Sequence, residues 1–390
     1  MGRSALVGVI VIVFLVVIAA VFALELSNSG SKSTTTSSTT SSSNTVSSSP
    51  TSSTSVATST GSAYGLSAPI GVAVDQANGD LYVTNNATGT VSVINIASDT
   101  LVATVPVGLG PAQIAVDPVN GYLYVTDNAS NAVSVIDGAS NTVIKTINTV
   151  GQRPDGIAFD PANNCLYVAE HGINIFEAGG AGADVTVINA TTNTVIRGVT
   201  GIDTPTGVAY DSKNGEIYVT TGGATVEFIN TSNNTMIGQV DVGLKPRGIV
   251  FDPDNGYVYV ANFVSGTISA INGSTNEVVG NPISIGGPYS APYLMAYNPA
   301  KGVVMVTNNL SKGVNLINAT TNSFIQTVST GVQSGPTGIV YDPANGVTYV
   351  ATFDTDAVVA LSPSLTPSYF AAPPGASTMI TASSTSAFGP

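Results

Sequence analysis

The sequence predicts an all-β fold: a seven-bladed β-propeller of four-stranded antiparallel blades, preceded by one N-terminal transmembrane helix and a Ser/Thr-rich stalk. Three observations carry that prediction. A turn motif, Asp-Pro-x-Asn-Gly or a close variant, begins at Asp75, Asp117, Asp160, Asp211, Asp252, Asn298 and Asp342, at intervals of 41–51 residues. Each repeat holds four short β-branched segments, in the first Gly71–Val74, Leu81–Thr84, Val91–Ile94 and Leu101–Val105. No segment sustains helical periodicity. Repeats of about 40–45 residues with four strands each are the signature of propeller blades, which bury both faces against their neighbours.

The elements follow in chain order. Residues 1–4 form a cytoplasmic stub, and residues 5–24 are an uncharged run rich in Val, Ile, Leu, Ala and Phe. Its length suffices to cross the roughly 30 Å hydrocarbon core of a bilayer as a helix. Arg3 precedes the run, while Glu25 follows it and the next base is Lys32. The positive-inside rule therefore places the N-terminus in the cytoplasm and the rest outside. A cleaved secretory signal ending near Val21-Phe22-Ala23 is the alternative, and both readings export the chain. Residues 25–62 are almost wholly Ser and Thr, too poor in apolar surface to offset ordering entropy, so they read as an extended, O-glycosylated tether. Residues 63–361 hold the seven repeats, and residues 362–390 are a Pro/Ser/Thr-rich tail. The seventh repeat has three strands up to Leu361. Its fourth is expected at Ser368–Ala371, with a strand around Ser55–Ser59 as the alternative.

Within a blade, the Asp-Pro-x-Asn-Gly turn supplies what a tight hairpin needs. Proline fixes φ at the second position, and Asn or Gly accepts the left-handed conformation that follows. Aspartate accepts backbone hydrogen bonds in such a turn, so its recurrence is structural and not a carboxylate ring. The segments after the turns read Tyr82-Val83-Thr84-Asn85 and variants of it. These residues resemble the YVTN family of β-propeller repeats over about residues 63 to 361. The resemblance implies a propeller on a cell surface or in a surface layer, of archaeal type, with no family-wide catalytic residue. The sixth repeat departs most, with Asn298, Lys301-Gly302 and Met305 in place of Asp, Asn-Gly and Tyr.

Composition excludes several functions. One cysteine cannot form an intramolecular disulfide or a thiolate metal site, and one histidine cannot build a multi-histidine centre. A net charge of −13 has the wrong sign for nucleic acid. Cys165 reads as a small buried apolar residue.

The strands nearest the axis begin Pro-x-Gly in five of the seven repeats. The glycine allows close packing, whereas the middle residue varies: Ile70, Ala112, Asp155, Thr206, Arg247, Tyr293 and Thr337. Variable polar residues at a fixed place on a rigid scaffold are ligand-contact candidates, so Asp155, Arg247, Tyr293, Thr206 and Thr337 are nominated. The third repeat carries an insertion from Glu170 to Asp184 with the one histidine. Glu170, His171, Glu177 and Asp184 are its candidate metal ligands, calcium being the ion that carboxylates and carbonyls would hold. No other cofactor is indicated. Asn-x-Ser/Thr sequons stand at Asn86, Asn128, Asn189, Asn230, Asn233, Asn272, Asn309 and Asn318. All are glycosylation candidates in an exported chain, and Asn86, Asn128 and Asn309 fall on the mouth side.

The leading function is a membrane-anchored extracellular module that binds surface proteins or glycans at the channel mouth. The alternative is a lyase or lactonase-like enzyme on the same fold, calcium-dependent if Asp155, Glu170 and Glu177 gather. A purely structural surface-layer component is the third reading.

Overall fold

The computed structural model describes residues 64–172, 184–286, 290–310, 312–331 and 334–371. The apolar run 5–24, the segment 25–62, Glu177 and the tail beyond 371 lie outside the described residues. The first blade is built from Pro69–Asp75, Asp80–Asn85, Thr90–Asn95 and Thr100–Pro106, each antiparallel to the next. The second strand is buried along its whole length and the third at its four central positions. Only the outer strand alternates between exposed and partly buried positions. Burial on both faces of the blade explains the continuous apolar runs, because neighbouring blades sandwich the middle strands. Six more four-strand units repeat the order, with inner strands Pro111–Asp117, Pro154–Asp160, Val208–Asp211, Pro246–Asp252, Pro292–Asn298 and Pro336–Asp342. In blade 5 the outer strand is split into Glu277–Val278 and Ile283–Ser284. Between the halves stand Gly280, at φ +66°, and Pro282, which has no N–H for the ladder.

The ring closes between blades 7 and 1. The outer strand of blade 7 is Pro367–Ala371, paired to Ala357–Leu361, so the propeller runs ten residues past the boundary expected at 361. Phe370 meets Tyr349 edge to face at 4.8 Å and packs with it on Leu81, Val83 and Ile94 of blade 1. The Thr337 hydroxyl donates to the Pro69 carbonyl at 2.9 Å, and the Ala68 N–H donates to Asp356 Oδ1 at 2.6 Å. Gln76 Nε2 donates to Asp342 Oδ1 at 2.9 Å.

The repeat motif is the set of contacts between blades. In six turns the aspartate Oδ1 accepts the N–H two residues on at 2.8–2.9 Å. The tyrosine of five repeats reaches the next blade. Tyr82, Tyr124, Tyr167 and Tyr259 donate to Asn141, Asn193, Asn234 and Asn322 at 3.1, 2.8, 2.5 and 2.7 Å, and Tyr218 donates to Asn276. Each of these asparagines has a left-handed backbone, φ +50° to +58°, in the hairpin between third and outer strands. One residue type thus fills the hairpin and accepts the neighbour's hydroxyl. Met305 has no hydroxyl to give, and Thr348 of the following blade donates to its Sδ instead, at 3.4 Å.

Candidate functional site at the channel mouth

The geometry at the axis follows from the first four residues of each inner strand. A left-handed residue before the proline, such as Ala68 at φ +49°, Arg153 at +57° or Lys245 at +50°, turns the chain toward the axis. The glycine then lies against the carbonyl of the next blade's variable residue. A Cβ on Gly71, Gly156, Gly207, Gly248 or Gly338 would come within 2.1–2.3 Å of the carbonyl of Ala112, Thr206, Arg247, Tyr293 or Ile70. Only glycine allows that approach. The fourth residue is aliphatic in every blade, and Val72, Ile114, Ile157, Val208, Ile249, Met295 and Ile339 converge on the axis as an apolar wall. Around this wall lies a cavity of about 190 Å³.

Polar side chains from blades 2 to 6 complete its lining: Gln113, Asp155, Thr206, Arg247 and Tyr293. His171 meets Asp155 from the loop after the second strand of blade 3. Its N–H donates to the Arg153 carbonyl at 3.3 Å and that of Gly172 to Gln152 at 3.1 Å. This short zipper sets His171 Nε2 3.0 Å from Asp155 Oδ2, with the two side chains 9% and 18% exposed. The contact becomes an ion pair when the imidazole is protonated, and among the described residues Nε2 has no aligned hydrogen-bond acceptor. From blade 5, the Arg247 guanidinium carbon stands 5.5 Å from the Phe263 ring centre and 5.4 Å from that of Tyr293. The two rings meet edge to face at 6.3 Å, forming an aromatic bracket around the cation.

The charges in the mouth are coupled. Burial pushes the Asp155 carboxyl up, but the His171 contact and charge and the Arg247 charge outweigh it, holding Asp155 below the usual carboxylate range. Burial and the Asp155 charge raise the Tyr293 phenol against the pull of Arg247, so it stays a neutral donor. The cavity therefore offers a carboxylate, a guanidinium, a phenol and an amide, with an imidazole against the carboxylate.

Asp155, Arg247 and Tyr293 thus lie together, and His171 with them. Two other nominees do structural work. Thr337 is buried and its hydroxyl is spent on the Pro69 carbonyl. Thr206 lines the cavity, but its hydroxyl donates to the Pro246 carbonyl at 3.1 Å and shares a hydrogen bond of 2.7 Å with Thr220. Both hydroxyls stitch one inner strand to the next.

Glu170 is the last residue of the second strand of blade 3. It occupies the place of Asn85 and Asp127 at the end of the second strand and accepts from the Thr186 hydroxyl at 2.6 Å. At the same place Asp127 accepts from the Ser134 hydroxyl at 2.6 Å, and Asn85 Nδ2 donates to the Ser92 hydroxyl at 2.9 Å. Asp184 is the cross-strand partner of Glu170, whereas His171 turns to Asp155. Among the described residues no three His, Cys, Asp or Glu side chains gather as metal ligands. Gln113 and Phe263 had not been nominated. The signal for Gln113 is the missing glycine in Pro111-Ala112-Gln113, and Phe263 follows the Tyr-Val-Ala-Asn of blade 5.

No protein-family model and no curated protein matches the chain. Among solved structures, hydrazine synthase of Kuenenia stuttgartiensis superposes with a TM-score of 0.67 at 19% identity, covering 76% of this chain and 96% of that one. Virginiamycin B lyase from Staphylococcus aureus superposes with a TM-score of 0.61 at 17% identity, covering 73% and 92%. These likenesses establish the seven-bladed propeller fold.

Proposed function

We propose that this chain is a membrane-anchored, extracellular binding propeller whose channel mouth recognises glycans at the cell surface. The apolar run and Ser/Thr segment at its N-terminal end, and the resemblance to YVTN surface proteins, support the location. One observation carries the binding function. Chemically different side chains from three blades, Asp155 backed by His171, Arg247 backed by Phe263, and Tyr293, converge on one cavity with an apolar wall. At the same register blades 1 and 2 present only Ile70 and Ala112. A purely structural surface-layer component has no use for that asymmetry.

The test is retention of the full-length chain, in detergent, on immobilised cell-surface glycans. A D155N/R247Q variant with unchanged melting temperature should lose at least tenfold in retention. Equal retention of both proteins would count against the reading. A second reading, an enzyme of lyase or lactonase type, draws on the 3.0 Å approach of Asp155 to the one histidine, an acid–base pairing. Turnover of a lactone that vanishes in H171A would favour it, and loss of that turnover on chelation would make it calcium-dependent.

The sequons support a glycosylated underside. At Asn189, Asn230, Asn233, Asn272 and Asn318 the Oδ1 accepts from an N–H two or three residues on. Their Nδ2 atoms, where a glycan attaches, donate to nothing among the described residues. On the mouth side, Asn86 Nδ2 donates to the Pro111 carbonyl at 3.3 Å and Asn128 Nδ2 to Pro154 at 3.1 Å. Glycopeptide mass spectrometry of the protein from its own cells is expected to find glycans at the five underside sites and none at Asn86 or Asn128. Unmodified asparagine at all five would remove the proposal.

A further inference from the structure

The chemistry of the mouth narrows the ligand further, given the binding function proposed above. Arg247 is the key observation. Its guanidinium is held between Phe263 and Tyr293 inside the cavity, yet it has no carboxylate within ion-pair distance among the described residues. The guanidinium contacts the Tyr293 phenol but pairs with no carboxylate among the described residues, which leaves donors of its planar fork for a planar, two-oxygen acceptor. The neutral Tyr293 phenol beside it adds a hydrogen-bond donor.

The rest of the cavity limits what can carry that acceptor. Asp155 is an ionised carboxylate in the same cavity, and with the chain's net charge of −13 it opposes a second negative charge on the ligand. A phosphate dianion is therefore disfavoured relative to a single carboxylate. Asp155 and Gln113 accept from hydroxyl donors, so the group next to the carboxylate should bear hydroxyls. The volume of about 190 Å³ is below the roughly 300 Å³ at which drug-sized pockets begin. One sugar-sized unit fits a cavity of that volume.

We propose that the channel mouth binds a monocarboxylate sugar, a terminal uronic acid, with its carboxylate on Arg247 and its hydroxyls on Asp155 and Gln113. Isothermal titration of the full-length chain in detergent with glucuronate, glucose and glucose 6-phosphate tests it without any variant. Glucuronate should bind at least tenfold more tightly than glucose, and glucose 6-phosphate no more tightly than glucose. R247Q should bring glucuronate down to the level of glucose, while R247K should recover only part of the difference, because an ammonium cannot bind bidentately. Equal affinity for glucuronate and glucose, tighter binding of the phosphate, or an R247Q variant that binds glucuronate as well as wild type would overturn the assignment. Competition separates this proposal from the function on which it rests. Glycan retention that depends on Asp155 and Arg247 but is not displaced by glucuronate sinks the uronic acid and leaves the binding module standing. Retention that ignores both residues sinks both.

Discussion

A Gly207→Ala variant should lose about 3 kcal/mol or more of stability, at the upper end of overpacking costs. The added methyl would lie 2.1 Å from the Arg247 carbonyl oxygen and 2.9 Å from Thr220 Oγ1. Neither can retreat cheaply. The carbonyl already accepts the Thr220 hydroxyl at 2.8 Å, and the same hydroxyl oxygen accepts the Gly207 N–H at 2.7 Å. Relief would require the inner strands of blades 4 and 5 to separate, and a closed ring transmits that displacement to every interface. Because Gly207 does not have a positive φ, the penalty is one of packing alone. Gly121 is the control: it has φ +71° with nothing within 4 Å of its Cβ position, so alanine there costs only about 1–2 kcal/mol of left-handed strain. Denaturant titration of the two variants checks the order. A Gly207→Ala protein at least as stable as Gly121→Ala would contradict the close approach of the strands. The same substitution pushes on the backbone that carries Arg247, so glycan retention should fall with stability.

The blades were legible because their determinants are local. Asp, Pro, Asn and Gly at fixed offsets specify a turn whatever surrounds them, and seven copies at a steady interval specify a ring. Asp155, Arg247 and Tyr293 were legible for a related reason, since a fixed register on a repeated scaffold puts its variable residues in one place. Threonine at that register was not. The hydroxyls of Thr206 and Thr337 serve neighbouring carbonyls, and nothing in a threonine's own sequence context says whether its hydroxyl faces a ligand or the next strand. His171 stood out only as an anomaly. Its partnership with Asp155 depends on the backbone pairing of His171 and Gly172 with Arg153 and Gln152, which no residue type specifies. Glu170 could have been placed by aligning the repeats, where Tyr-Val-Ala-Glu takes the position of Tyr-Val-Thr-Asn. The insertion that follows it drew attention to metal chemistry, although the residue itself belongs to the strand.

The buried carboxyls at and beside that position make the propeller more stable in mild acid than in mild base. Burial pushes Glu170 up to about 7, helped by Asp184 and resisted by the Thr186 hydroxyl and by Gly151 and Thr149. It pushes Glu227, with the charge of Asp203 nearby, up to about 7, and Asp127 up to about 6. Among the described residues Glu170 Oε2, Glu227 Oε2 and Asp127 Oδ1 have no hydrogen-bond partner, so ionisation would leave charge on atoms that no donor meets. The sign follows from proton counting. Ordinary values for these groups are 4.5, 4.5 and 3.8, so between about pH 4 and pH 7 the folded chain holds protons that the unfolded chain has released. Stability is then greatest below about pH 4 as far as these groups are concerned, and it falls as pH rises through 6 and 7. For Glu170 alone the difference is worth roughly 3 kcal/mol. Asp155, held below its ordinary value, acts in the opposite sense, but its contribution is lost only as pH falls below the range where the other three titrate. The melting temperature should therefore be higher at pH 5 than at pH 8. E170Q, which mimics the protonated acid and keeps an acceptor for Thr186, should remove about a third of that slope, as much as Glu227 contributes, while raising stability at pH 8. A profile that is flat in the wild type, or equally steep in E170Q, would mean that Glu170 is ionised in the folded ring and is paid for by contacts other than Thr186, Gly151 and Thr149.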